Sequence, residues 1–112
     1  MGIGMSKTGD VLVATPPTRL DTVTSPETEQ ALMEAVEAGA QRIVFDLGKT
    51  VYISSAGLRV ILKISKLVVP SGGAVALCNA NPQVREVLDI SGFLAMLPYC
   101  SNLKEAVVKV AA

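Results

Sequence analysis

Histidine and tryptophan are absent from this chain of 112 residues, which contains only two phenylalanines and two tyrosines. Without histidine the chain lacks the usual general base of a serine triad and the ligand that most zinc sites use. The ten carboxylates are spread along the chain, and no two of them form an evident acid–base pair. We therefore expect no enzymatic activity, no bound metal and no cofactor.

An excess of either charge is also missing, because ten basic residues balance ten acidic ones. A neutral chain produces no strong field that would attract nucleic acid or an anionic membrane. The few aromatic residues offer little surface on which single-stranded bases could stack. The two cysteines, Cys78 and Cys100, lack the spacing of a metal site and are typical of free thiols in a reducing compartment. These features predict no nucleic-acid partner.

Long hydrophobic runs are missing as well. The most apolar segment, residues 58 to 69, is interrupted by Arg59, Lys63 and Lys66, which predicts that no part of the chain inserts into a membrane. The opening "MGIGMSKTGD" lacks the apolar core of a signal peptide, so we expect a cytoplasmic protein. Residues 1–10 are polar and glycine-rich, which predicts a flexible N-terminus before a single domain at residues 11–112.

Half of the residues are apolar, and their pattern alternates short β-branched runs with helical segments. Strands are predicted at "VLVA", "RIVFDL", "VYI", "AVALCN" and within "FLAMLPY". A first helix is predicted as far as Gly39, with the hydroxyl of Thr24 or Ser25 as its cap. Further helices are predicted at residues 55 to 68, from Asn81 to Gly92, and in "NLKEAVVKVAA". This alternation predicts an α/β domain with a largely parallel central sheet.

Two short matches to catalytic motifs fail on individual residues. The "GKT" at residues 48 to 50 matches the end of a phosphate-binding loop, but Ile43 stands where that loop needs glycine. The "ISSAG" at residues 53 to 57 lacks the glycine of a hydrolase elbow, because Ile53 precedes the serines. A serine–lysine dyad would need Lys63, which is two helical turns away. Both matches are therefore read as turns.

Ser54 and Ser55 lie where the predicted strand "VYI" gives way to a helix. A serine at this position can cap the helix, since its hydroxyl accepts a hydrogen bond from an amide of the first turn. Alternatively, one of the two serines can receive a phosphoryl group, because a helix N-terminus tolerates a dianion. Such a modification would place about two negative charges on a neutral surface. The residues by themselves leave both interpretations open.

Three segments together resemble the STAS domain family, the anti-sigma factor antagonists of bacteria. "FDLGKTVYISSAGLRVIL" is similar to the family's central strand, serine turn and helix. "RLDTVTSPE" is similar to the family segment before the first helix, and "NPQVREVLDISGFLAMLPYCSNLKEAV" to its C-terminal part. The resemblance spans residues 11 to 110. Two departures are Ser54, where many members have aspartate, and the Pro16–Pro17 pair before "RLD".

The resemblance implies a STAS-type α/β fold, with a central mixed β-sheet of four or five strands and about four helices packed mainly on one side. It implies an anti-sigma factor antagonist that binds a serine-kinase anti-sigma factor and so releases that factor's client. Phosphorylation of Ser55, or of Ser54 as second choice, would end this binding, and a serine phosphatase would restore it. ATP and Mg²⁺ would belong to the kinase, and the free domain would be a monomer.

The resemblance also implies a partner-binding surface around the serine turn. Asp21 matches a family aspartate near the acceptor, where it would contact the kinase or orient the serine; it could instead only bracket a turn. The predicted partner-binding residues are Asp21, Thr22, Thr24, Ser54, Ser55, Ala56, Gly57, Arg59 and Lys63. An alternative within the same fold is a subunit of a membrane lipid-transport complex that binds permanently and without phosphorylation. Co-purification with membrane components rather than with a kinase would indicate that alternative.

Overall fold

The structure is a computed structural model and describes residues 2–111. Within these residues the chain forms seven strands and five helices. The strands are β1 (Gly4–Thr8), β2 (Val11–Thr15), β3 (Arg19–Leu20), β4 (Arg42–Asp46), β5 (Tyr52–Ile53), β6 (Ala74–Cys78) and β7 (Tyr99–Cys100). The helices are α1 (Ser25–Glu37), α2 (Ser55–Val68), α3 (Pro82–Ile90), α4 (Phe93–Met96) and α5 (Leu103–Val110). The predicted α/β alternation is confirmed.

Five strands form the main sheet in the order β1-β2-β4-β6-β7. The pair β1–β2 is antiparallel, and the other three pairs are parallel, so the sheet is mixed. β4 lies at the centre, where Val44 pairs with Val13 on one side and Ala76 on the other. Its Ile43, Val44 and Phe45 are at most 1% exposed, as a β-branched strand covered on both faces requires. The predicted mixed sheet is confirmed.

The N-terminal segment differs from the prediction. Residues 1–10 were expected to be flexible, but Gly4–Thr8 forms strand β1 and pairs with β2 from Gly4 opposite Thr15 to Thr8 opposite Val11. Gly9, at a φ of 62°, allows the tight turn between the two strands. All five residues of β1 are exposed, so neither face carries the apolar alternation that signals a strand. The prediction is wrong for these residues.

The helices cover the two faces of the sheet unequally. One hydrophobic cluster joins the sheet to α1, α2, α3 and α4 through Leu32, Ile61, Leu88 and Phe93. A second, smaller cluster joins the opposite face to α5 through buried residues that include Val110. Four helices therefore pack on one side and one on the other, which confirms the predicted arrangement. Full burial of an aliphatic or phenylalanine side chain contributes about 1.5–3 kcal/mol to folding.

The segment "FLAMLPY" contains less strand than its apolar residues suggest. Phe93–Met96 forms the short helix α4, and the strand β7 begins only at Tyr99. The φ of Gly92 is 87°, a left-handed value that lets the chain turn from α3 into α4. Across the described residues 2–111, no helix has both the length and the apolar character that a membrane span requires.

Candidate phosphorylation and partner-binding site

The serine turn is positioned by a small parallel sheet that is separate from the main one. β3 and β5 pair with Leu20 opposite Ile53, and the next residue of β5's chain, Ser54, donates its backbone N–H to the Leu20 carbonyl at 2.9 Å. Because the carboxyl ends of parallel strands meet at one edge, the turn that begins at Asp21 lies beside the turn that contains Ser54. Helices α1 and α2 both start from this edge.

Ser54 caps helix α2. Its backbone is extended, with φ −96° and ψ 175°, and its Oγ accepts a hydrogen bond from the Gly57 N–H at a long 3.4 Å. Its carbonyl accepts the N–H of Leu58 at 2.9 Å, which closes the first turn of the helix. Ser54 is half-buried. Of the two serines, Ser54 is therefore the one that caps the helix.

Ser55 is the first residue of α2 and is exposed. In the part of the chain from residue 2 to residue 111, its hydroxyl forms no hydrogen bond, whereas the neighbouring Ser54 hydroxyl is engaged in the cap. The side chain of Ser55 is thus accessible, and its hydroxyl is available for new contacts. A group attached there would lie next to the amides of the first helical turn, where negative charge is stabilised.

Asp21 holds the adjacent turn together. Its Oδ1 accepts the N–H of Val23 at 3.0 Å and the N–H of Thr24 at 3.1 Å, and its Oδ2 lies 3.4 Å from the Nε of Arg19. The pKa of Asp21 lies below its usual value mainly because its carboxylate accepts the hydrogen bond from the Thr24 backbone N–H. Desolvation has a smaller effect in the opposite direction. Asp21 forms no hydrogen bond with either serine among the described residues. Its observed role is to bracket this turn.

Thr24 belongs to the same turn and does not cap α1 with its side chain. Its hydroxyl donates to the Arg19 carbonyl at 2.7 Å and accepts the Asp21 N–H at 3.0 Å. Ser25, the other predicted cap, is the first helical residue, and its hydroxyl is buried without a hydrogen-bond partner among the residues described. The predicted helix starts at the right place, but the prediction that one of these two hydroxyls caps it is wrong.

The predicted partner-binding residues fall into three groups by exposure. Four are exposed, namely Thr22, Ser55, Arg59 and Lys63, and four are half-buried, namely Asp21, Thr24, Ser54 and Ala56. Gly57 is buried, and a Cβ built on it would lie 2.6 Å from the Leu20 carbonyl oxygen. The small size of Gly57 therefore serves the packing of α2 against β3. The predicted contact of Gly57 with a partner stays a prediction.

The exposed side of α2 forms a shallow groove that combines positive charge with apolar surface. It is lined by Arg59, Leu62, Lys63, Lys66 and Leu67. The Lys63 ammonium is 2.7 Å from the carboxylate of Glu29 on α1, although its side chain remains half exposed. This ion pair adds a link between α1 and α2.

Sequence reasoning missed three residues that flank the serine turn. Val23 is 84% exposed, at the tip of the Asp21 turn, and Tyr52 is 43% exposed on β5. The Arg19 guanidinium lies over the Tyr52 ring, 4.4 Å from its centroid. The available sequence signal for Val23 was its place as a single apolar residue between Thr22 and Thr24, in the segment before a predicted helix. The contact of Arg19 with Tyr52 depends on the pairing of β3 with β5, which the sequence did not indicate.

Acidic and thiol groups near the carboxyl ends of the main sheet have structural partners. The Asp46 Oδ1 accepts the Gly48 N–H at 3.0 Å and the Asn79 side-chain amide at 3.1 Å. Burial, with a smaller effect of the Asp46 charge, raises the pKa of the Cys78 thiol to about 12. Residues 2–111 contain no group of three or more histidine, cysteine, aspartate or glutamate side chains that could hold a metal ion.

Comparison with known proteins identifies the family. The model of the STAS domain family matches residues 3–106, and the chain belongs to this family. BtrV of Bordetella bronchiseptica, whose name describes an anti-sigma factor antagonist, is 40% identical over 106 residues, which are 95% of this chain and 90% of that protein. The anti-sigma F factor antagonist of Paenibacillus polymyxa is 34% identical over 92 residues, 81% of this chain and 79% of that protein.

Solved structures confirm the fold. The anti-sigma factor antagonist SpoIIAA in its unphosphorylated form superposes with a TM-score of 0.76 at 17% identity, over 96% of both chains. The Bacillus protein SpoIIAA in its phosphorylated form gives a TM-score of 0.75 at 19% identity, over 96% of this chain and 98% of that one. The predicted STAS-type fold is thereby confirmed.

Proposed function

We propose that this chain is an anti-sigma factor antagonist whose binding to an anti-sigma factor is switched off by phosphorylation of Ser55. The observation that carries the proposal is the free, exposed hydroxyl of Ser55 at the start of α2. Its neighbour Ser54 is half-buried and uses its hydroxyl for the helix cap. The names of BtrV and of the Paenibacillus polymyxa relative support the function class. The phosphorylated form of SpoIIAA supports the kind of switch.

The chain supplies the acceptor of this reaction, and its partner supplies the catalysis. The Ser55 oxygen attacks the γ-phosphorus of ATP held with Mg²⁺ by a serine-kinase anti-sigma factor. An oxygen–phosphorus bond forms, the bond to the β-phosphate oxygen breaks, ADP leaves, and the hydroxyl proton passes to a base of the kinase. This chain therefore needs no cofactor of its own and acts in the cytoplasm, where the kinase and ATP are found.

Phosphorylation leaves the fold intact and changes the surface. The phosphoryl group adds about two negative charges next to the first-turn amides of α2, which accommodate them. A partner surface that fits the neutral hydroxyl must then desolvate this dianion or face it with its own carboxylates, and the association weakens. A serine phosphatase restores binding when water attacks the phosphorus, the bond between phosphorus and the Ser55 oxygen breaks, the serine oxygen takes up a proton, and inorganic phosphate leaves. The free domain is a monomer in this scheme.

The acceptor is tested by incubating the chain with a serine-kinase anti-sigma factor from the same organism, with ATP and Mg²⁺. Intact-mass analysis should show a gain of about 80 Da, the mass of one phosphoryl group. Peptide mapping should locate it on Ser55. Ser55→Ala should abolish the gain, while Ser54→Ala, the matched control in the same turn, should retain it. Full phosphorylation of Ser55→Ala would contradict the assignment.

The switch itself is tested by binding measurements with the same anti-sigma factor. Ser55→Ala keeps a small neutral side chain and should bind like the unmodified protein. Ser55→Asp places a negative charge at the same position and should bind at least tenfold more weakly, which corresponds to about 1.4 kcal/mol. Equal affinities of the two variants, measured by isothermal titration calorimetry, would show that charge at position 55 does not control the association.

A further inference from the structure

Arg59 lies one helical turn after Ser55 on the same face of α2. Both residues are exposed, and they stand at positions i and i+4 of a regular 14-residue helix. Side chains at this spacing have Cβ atoms about 5–6 Å apart. An anion that precedes a cation by four residues is the more favourable orientation, because it also agrees with the helix dipole. Phosphorylation of Ser55 would create such a pair.

The cations near Ser55 differ in whether they already have a partner. Between residues 2 and 111, Arg19 pairs with Asp21 at 3.4 Å and Lys63 with Glu29 at 2.7 Å, whereas no carboxylate oxygen lies within 4.0 Å of Arg59. Lys66 is eleven residues along α2 from Ser55, which is about 16 Å of helix axis. Arg59 is thus the uncommitted cation within one turn of the acceptor.

We propose that Arg59 binds the phosphoryl group of phospho-Ser55 in an ion pair within α2, so that its side chain turns away from the shallow groove on the exposed side of this helix. This inference rests on the proposed function, because it assumes that Ser55 is the modified residue. The guanidinium can donate two parallel N–H groups to two phosphate oxygens, a geometry that lysine does not offer. Arg59 is a positioning residue for the phosphoryl group and takes no part in the transfer itself.

The pair gives phosphorylation two effects on the same surface. The phosphoryl group adds negative charge at the start of α2, and it also engages one of the three cations that line the groove with Leu62 and Leu67. In the unphosphorylated chain Arg59 is free to face a partner carboxylate. After phosphorylation that contact competes with a phosphate in the same helix. The switch thus removes an attractive group in addition to introducing a repulsive one.

The test uses the whole chain with phosphoserine introduced at position 55 during translation, so that no kinase is needed. The second pKa of the phosphoserine is measured by ³¹P NMR titration. An arginine partner stabilises the dianion, so Arg59→Gln should raise this pKa by about 0.3 unit relative to the parent, the size expected of an exposed pair at this spacing. Arg59→Lys should recover part of the shift.

Lys66→Gln is the matched control, because it removes the same charge from the same exposed face of α2. Its distance from Ser55 is about twice the Debye length of roughly 8 Å in physiological salt, so it should leave the pKa unchanged. Equal pKa values for the parent and Arg59→Gln, or equal shifts for Arg59→Gln and Lys66→Gln, would overturn the proposal. Because the phosphoserine is encoded, these results are independent of whether a kinase chooses Ser55.

Discussion

Replacing Gly57 with alanine probes the contact that sets helix α2 against the β3–β5 pair. A Cβ at this position would lie 2.6 Å from the Leu20 carbonyl oxygen and 2.8 Å from the Leu20 Cγ. The Leu20 side chain is fully buried, and its carbonyl accepts the Ser54 N–H at 2.9 Å. Neither atom can move away without breaking the hydrogen bond or the packing that positions the serine turn.

Two opposing effects decide the magnitude. In a helix alanine is about 1 kcal/mol more favourable than glycine, so the substitution would stabilise an unobstructed position. An extra carbon forced into a packed interior costs about 1–3 kcal/mol, and a fixed backbone oxygen places this site at the upper end. We expect Gly57→Ala to lower the free energy of unfolding by about 1–2 kcal/mol. For a domain of this size each kcal/mol lowers Tm by about 4 °C or more.

Urea denaturation followed by circular dichroism measures this change. Gly4→Ala is the control, because a Cβ there would meet its nearest atom, the Thr15 Cβ, at an ordinary 3.7 Å on an exposed strand. Its free energy of unfolding should change by no more than about 0.5 kcal/mol. A Gly57→Ala protein as stable as the parent would refute the argument that α2 requires a missing Cβ at this contact.

Three further predictions concern a cap, a carboxylate and a thiol. Asn81→Ala should lower the free energy of unfolding by about 1 kcal/mol and Ser54→Ala by about 0.5 kcal/mol. The difference is expected because Asn81 accepts its first-turn amide at 2.8 Å, whereas Ser54 accepts its own at 3.4 Å. Equal decreases in the two variants, measured by urea denaturation, would contradict this. Folding lowers the pKa of Asp21, so its contribution to stability is complete above the unfolded pKa near pH 4 and is lost as pH falls through the folded value. Asp21→Asn should lack this part of the acid sensitivity, and an unchanged pH profile of the urea midpoint would argue against it. Burial raises the pKa of the Cys78 thiol to about 12. Iodoacetamide at pH 8 should therefore alkylate the half-buried Cys100 before Cys78. Equal labelling of the two cysteines in peptide maps would contradict the protection of Cys78 by burial.

The elements that sequence reasoning placed well are those whose signals are local. Helix α2 runs from Ser55 to Val68, as the serine start and the aliphatic periodicity predict. Helix α3 begins at Pro82 after the Asn81 cap, whose side chain accepts the Val84 N–H. In each case the residues that decide the boundary are neighbours in the chain, so one short stretch contains the whole signal.

The features that were missed depend on contacts that form only in the folded chain. Strand β1 has no buried face, so its only determinant is the edge of β2 with which it pairs. The hydroxyl of Thr24 was predicted to cap a helix, but in the folded turn its oxygen accepts the Asp21 N–H and its proton is donated to the Arg19 carbonyl. Gly57 of α2 is buried because Leu20, on strand β3, packs against it. The patterns of apolar and capping residues used for the prediction do not identify any of these partners.

The framework under the serine turn bears on how a modification of Ser55 can act. The strands β3 and β5 are only two residues long, yet hydrogen bonds between the residues that precede them add to their pairing. The buried Thr50 hydroxyl donates to the Pro17 carbonyl at 3.0 Å, and the Val51 N–H donates to the Thr18 carbonyl at 2.8 Å. Ser55 itself is outside this network and exposed. A phosphoryl group added there meets no buried contact that it would have to break. Under the proposed function, the change that a partner would detect is therefore one of surface charge at the start of α2, on a backbone that keeps its conformation.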